Sequence, residues 1–146
     1  MKDQLISFET AKLAKEKGFS SKPEGYVEGY QKNGKLFTYR SSKRDGYLHE
    51  YSEDYEASTQ SLLQRWLREE HNIDIIIEPN IRFSGTSYSF KREIIYKWIV
   101  RKDMEYSKLG GIKNTYEEAL EEGLYEALKL INNKEYKPGL RHIGDI

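Results

Sequence analysis

One stretch gathers side chains that could do chemistry together. Lys32, Lys35, Arg40, Lys43 and Arg44 follow one another with no acid between Tyr30 and Asp45, and Tyr30, Phe37 and Tyr39 interleave with them. Cations for phosphates and aromatic rings for base faces are what single-stranded nucleic-acid binding requires. The same pattern suits an exposed hairpin whose lysines keep a sheet edge from pairing with other chains, and this structural reading is preferred.

Catalytic chemistry finds little else to work with. His49, His71 and His142 are far apart, and none has a second ligand at metal spacing. His71 suits the last turn of a helix, where a cation is favoured. The carboxylate pairs Glu69-Glu70 and Glu121-Glu122 sit among other charges on helices and are expected to be solvated faces. Gly110-Gly111 is an isolated pair, simplest as a turn, and no glycine-rich phosphate loop exists. The serines lack a nucleophile context. The chain is therefore expected not to be an enzyme and to need no cofactor or metal. A site assembled from distant residues is the disfavoured enzymatic alternative.

The totals point the same way. A chain of 146 residues suits one domain with a real core. Hydrophobic residues at 37% and charged residues at 33% describe a polar surface over a modest core, not disorder. Lys and Arg number 24 and Asp and Glu number 24, so the balance speaks against a duplex-binding domain with its usual basic excess. Twelve tyrosines suit a sheet face or an interface. The absence of cysteine removes disulfides and thiolate chemistry and fits a reducing cytoplasm. The N-terminal residues lack a signal-peptide pattern, and no apolar run approaches the ~20 residues that span a bilayer. A cytoplasmic location without membrane contact is expected.

These residues must be positioned by a small set of elements. Ser7 to Lys17 predicts a first helix, with Ser7 as cap, Ile6 as staple and Gly18 as terminator. Strands are expected near 26–32, 35–41 and 47–51. Asn33-Gly34 should make a two-residue type I′ turn pairing Lys32 with Lys35 and Tyr30 with Phe37, and Asp45-Gly46 a further turn. Thr59 to His71 predicts a second helix capped by Ser58 or Thr59. It should end at Asn72, bury Leu62, Leu63, Trp66 and Leu67, and turn Arg65, Arg68 and Glu69 outward.

A sustained period of two then predicts a central antiparallel hairpin over about 73–83 and 88–100. With Ser84 to Ser87 as the loop, Phe83 faces Tyr88, Ile81 faces Phe90, Ile77 faces Ile94, Ile75 faces Tyr96 and Ile73 faces Trp98, all on one buried side. Pro79-Asn80 should bend the strand. The back of this hairpin carries Ile76, Ile95 and Ile99, with Ile76 facing Ile95. This is either a minor cluster under a loop or a self-association surface.

Thr115-Tyr116-Glu117-Glu118 is a capping box that opens the last helix, with Glu117, Glu118, Glu121 and Glu122 near its positive end. Ala119, Gly123 and Ala127 form a ridge of small residues. Gly123 costs about 1 kcal/mol of helix propensity, so it should let the helix approach the sheet at Tyr96 and Trp98. The expected fold class is α+β: an antiparallel sheet built from the central hairpin and the N-terminal strands, with two to three helices on one face. It forms a single domain over 1–133, and 134–146 is a tail.

Two resemblances follow from these elements. The order from Thr59 to Ile131 is similar to that of a double-stranded-RNA-binding domain. Such domains hold phosphates with lysines at the start of the final helix, where this chain has Glu117 and Glu118, so that function is not carried over. The segments "TQSLLQRWLREEHNIDI", "TYEEALEEGLYEALKLI" and "SFETAKLAKEKGF" resemble a group of small uncharacterised proteins encoded by bacteriophages and prophages. That resemblance implies a cytoplasmic accessory protein and transfers no site residue. The expected mode of action is binding, to a protein partner or to itself. Single-stranded nucleic acid at the 30–44 hairpin is the alternative.

Overall fold

The computed structural model describes residues 3–21, 25–41 and 54–132, except the side chains of Ser41 and Tyr106. The expected strand at 47–51, the Asp45-Gly46 turn, Lys43, Arg44, His49, His142 and the 134–146 tail lie outside the described residues. The order is α1 (Phe8–Glu16), β1 (Gly25–Tyr30), β2 (Leu36–Ser41), β3 (Tyr55–Glu56), α2 (Gln60–His71), β4 (Ile73–Thr86), β5 (Ser89–Lys102), β6 (Glu105–Lys113) and α3 (Tyr116–Leu128). The class is α+β. The N-terminal strands form their own sheet, ordered β2-β1-β3, and the central hairpin belongs to a second, ordered β4-β5-β6.

Helix ends follow the local chemistry. Ser7, Thr59 and Thr115 each cap a helix, accepting from the backbone N–H of Thr10, Leu62 and Glu118. Gly18 at φ 90° and Asn72 at φ 53° supply the left-handed residues after α1 and α2. α2 buries Leu63 and Leu67 as expected, but Leu62 is 44% exposed and Gln60 is buried in its place. Gln60 can go inside because its Nε2 donates to the Glu117 carbonyl at 3.0 Å and so ties α2 to α3.

The N-terminal hairpin departs from the two-residue turn. Tyr30 faces Leu36, and Gly29 faces Phe37. The Gly34 N–H donates to Gln31 O at 2.8 Å, Gly34 has φ 89°, and the Gln31 N–H donates to Lys35 O at 2.8 Å. This is a longer turn with the glycine as bulge residue, one of the common hairpin solutions. Asn33 contributes its side chain instead of a left-handed backbone: its Oδ1 accepts the Lys35 N–H at 2.9 Å.

The central hairpin keeps the expected face and changes its partners. Ile75 faces Val100, Ile77 faces Trp98, Pro79 faces Tyr96 and Ile81 faces Ile94. The ladder runs on to Thr86–Ser89, so the turn is Ser87-Tyr88 and not a four-residue loop. Alternation forbids a slip of one residue, but partners displaced by an even number leave every side chain on its own face. Ile73 therefore faces Lys102 and not Trp98.

β6 fills a stretch where no strand was expected. The turn before it uses Asp103 (φ 55°) and Met104 (φ 66°), left-handed positions without a glycine to announce them. Asp103 is held by Asn72, whose carbonyl accepts its N–H at 3.0 Å and whose Nδ2 donates to its carboxylate at 3.2 Å. Gly110, expected in a turn, lies in β6 opposite Trp98. A Cβ there would sit 1.8 Å from the indole, so the glycine exists to admit that ring.

α3 lies across this second sheet. Its stripe of Ala119, Leu120, Gly123, Leu124, Ala127 and Leu128 is buried. A Cβ on Gly123 would lie 2.9 Å from Ile75 Cγ2 and 3.3 Å from Trp98 Cβ, so the glycine sets the close approach, against Ile75 and Trp98 and not Tyr96. Lys108 reaches from β6 to Glu126 at 2.6 Å. The helix has 13 residues, about 20 Å, whereas β4 and β5 have 14 each, about 46 Å. Cover therefore runs out. Ile81, Phe83, Phe90 and Ile94, expected on the buried side, are exposed.

Candidate functional site

The basic and aromatic residues of the N-terminal hairpin do not share one surface. Tyr30 is structural: its ring packs edge-on against Phe8 at 5.7 Å, and its hydroxyl donates to Ile6 O at 2.7 Å. Burial, then Glu121 and Glu28, raise its pKa. Phe37 and Tyr39 lie 5.5 Å apart over Gly29, where a Cβ would come within 2.9 Å of the Tyr39 ring. Burial and the nearby Glu56 and Asp54 push the Tyr39 phenol up to about 12. Those acids face the rings on which a phosphate chain would have to lie. Arg40 alternates to the opposite side of β2, while Lys32 and Lys35 are exposed around the turn.

A cleft of about 620 Å³, open to solvent, runs between α1 and α3, lined in part by Glu9, Tyr30, Lys113, Glu118, Glu121 and Glu122. Two of its acids are committed to the fold. Glu121, expected on a solvated face, accepts the Ser7 N–H at 2.8 Å and the Thr10 hydroxyl at 2.7 Å, and so holds the N-terminus of α1. Glu122 pairs with Lys113 at 2.9 Å. Of the other expected solvated pair, Glu69 bonds the exposed Arg65 at 2.9 Å. His71 stacks edge-on against Trp66 at 4.6 Å. Among the described residues no three His, Asp or Glu side chains gather to hold a metal ion.

The third region is the side of the β4-β5-β6 sheet that points away from α3. Even residues of β4 and odd residues of β5 share it. Ile76 faces Ile99, and Ile99 faces Leu109 on β6, which makes an apolar row across three strands. Ile76 and Ile99 are half-buried, and Leu109 and Ile112 are exposed. Ile95 faces Asn80 and not Ile76, and it is buried at 5% exposure. Charges frame the row: Asp74 faces Arg101 on one side, and Glu78 faces Lys97 on the other. In both, the acid stands on β4 and the base on β5.

Leu109 and the framing pairs escaped the sequence reading because the register and β6 did. One signal was available. Residues 101–114, between the expected strand and the capped helix, are long for a structureless connection. No protein family, curated protein or solved structure matches the chain.

Proposed function

We propose that the protein is a non-enzymatic binding module that associates with a second copy through the face of the β4-β5-β6 sheet turned away from α3. This fits the accessory role implied by its resemblance to small phage and prophage proteins. The observation that carries the reading is the row Ile76–Ile99–Leu109 between two charge pairs of the same polarity.

A twofold axis parallel to the strands, between β4 and β5, lays Ile76 over the second copy's Ile99. The same axis sets Asp74 over Arg101 and Glu78 over Lys97, so each acid meets a base. An axis perpendicular to the strands would set acid on acid. Sheets pack face to face in near alignment, which both axes allow, so charge decides for the first. The patch covers roughly 300–400 Å² by strand spacing, below the ~800 Å² per partner of a stable interface. The association is therefore concentration-dependent.

Light scattering across a concentration series tests this reading, with a rise toward twice the monomer mass expected. Lys97→Glu opposes like charges at both symmetry-related contacts and should weaken association roughly tenfold, at about 0.2–1 kcal/mol per pair. Adding Glu78→Lys should restore it. A constant monomer mass at every concentration, or no rescue by the double swap, refutes the arrangement.

A further inference from the structure

Past Pro79 and Tyr96 the β4–β5 ribbon leaves the helices behind, and its former core side lies open. On that side Ile81 faces Ile94, Phe83 faces Arg92, and Gly85 faces Phe90. Ile81, Phe83, Phe90 and Ile94 are 55, 62, 63 and 60% exposed, and Tyr88 at the turn is 98% exposed. The Phe83 and Phe90 rings lie 6.2 Å apart. A surface row of two phenylalanines and two isoleucines on a ribbon two strands wide is unusual, because such ribbons are marginal without cover. The proposed contact between copies uses the other side of the sheet and leaves this one bare.

Charge separates the possible occupants. Between 81 and 94 the ribbon carries Arg82, Lys91 and Arg92 against Glu93, a net +2 (3 − 1) on a chain whose net charge is zero. Arg82 holds Glu93 at 2.7 Å on the far side, where Lys91 also stands, so the open side carries Arg92 alone. Arg92 stands on the open side, directly across from Phe83 and two residues from Phe90. A purely apolar partner would desolvate that guanidinium without giving it an acceptor. A phosphodiester supplies the acceptor and, with its bases, flat faces for the rings.

We propose that residues 81–94 form a stacking ribbon for single-stranded nucleic acid. Phe83, Phe90 and Tyr88 take base faces, and Arg92 takes a flanking phosphate, while Lys91 stands with Arg82 on the far side. The single cation on this side favours a single strand, since duplex binding rests on many more phosphate contacts. Stacking on phenyl rings makes the recognition tolerant of sequence. The ribbon takes over the ligand class first assigned to the 30–44 hairpin and is independent of the contact between copies.

Fluorescence anisotropy of a labelled oligothymidylate with the full chain tests the proposal. Saturable binding is expected at low salt, with one phosphate at Arg92 giving a log–log salt slope of about −0.7. Phe83→Ala should weaken binding roughly five- to a hundredfold, and Phe83→Ala/Phe90→Ala further. Arg92→Glu should weaken it and flatten the salt slope, while Arg40→Glu leaves it unchanged. Thermal melts of the ribbon variants should match the parent, since all these side chains are exposed. The proposal is overturned by no binding at low salt, by full binding in Phe83→Ala/Phe90→Ala, by preference for duplex competitor, or by loss at Arg40→Glu alone. If Phe83→Ala/Phe90→Ala changes the mass by light scattering and leaves anisotropy untouched, the ribbon contacts protein and the proposal likewise fails.

Discussion

The two halves of the β4–β5 hairpin have the same alternating sequence pattern and different fates. In the half near α3, Ile73, Ile75, Trp98 and Val100 are buried in the main core. In the far half, Ile81, Phe83, Phe90 and Ile94 occupy the same side of the same ladder and meet none of the described helices. Alternation states that one side is apolar. It does not state what lies against that side, because cover is supplied by other elements whose length is set independently. Here a helix of about 20 Å crosses strands of about 46 Å. The remainder of that side stays exposed to solvent.

Substitutions can break or sharpen this contrast. The largest difference is expected between Leu124→Ala and Ile81→Ala. Leu124 is fully buried in α3, so its truncation should cost about 2–5 kcal/mol in chemical denaturation. Ile81→Ala should stay within about 0.5 kcal/mol. Similar losses at both positions would mean that the far half is covered after all.

Next in size is Gly123→Val, which should destabilise by about 1–3 kcal/mol because its Cβ alone would lie 2.9 Å from Ile75 Cγ2. A neutral melt would show that α3 does not depend on that approach to cover the near half.

The smallest effect concerns the ion pair between α3 and β6. The hydrogen bond from Lys108 holds the Glu126 carboxyl below its ordinary pKa against some burial, and Lys129 assists. A carboxylate with a lowered folded-state pKa stabilises above its unfolded value and loses that contribution as pH falls through the folded one. Glu126→Gln should therefore cost about 0.2–1 kcal/mol near neutral pH. The gap to the parent should close progressively below about pH 4.3. A gap that persists or widens in acid would assign the effect to packing.

What could be read from the chain varied with the range of the interaction. Caps at Ser7 and Thr115, the choice of Ser58 or Thr59 that the structure resolves to Thr59, and stops at Gly18 and Asn72 were legible because each depends on a few neighbouring residues. The turn at Asp103-Met104 was not, because its left-handed backbone is held by Asn72 and not by a glycine. Without that turn β6 disappears, and with it Leu109. Glu121 looked like one more helix-surface acid. Its role emerges only when the N-terminus of α1, more than a hundred residues earlier in the chain, is brought against it.

By itself the sequence determined the α+β class, the helices with their caps, and which side of each central strand is apolar. All of these follow from the residue period of two or 3.6 and from contacts within one turn of chain. Tertiary structure alone decided the register, the third strand of the central sheet and the point where cover ends. Those depend on distances between segments far apart along the chain, and local propensity carries no information about such distances.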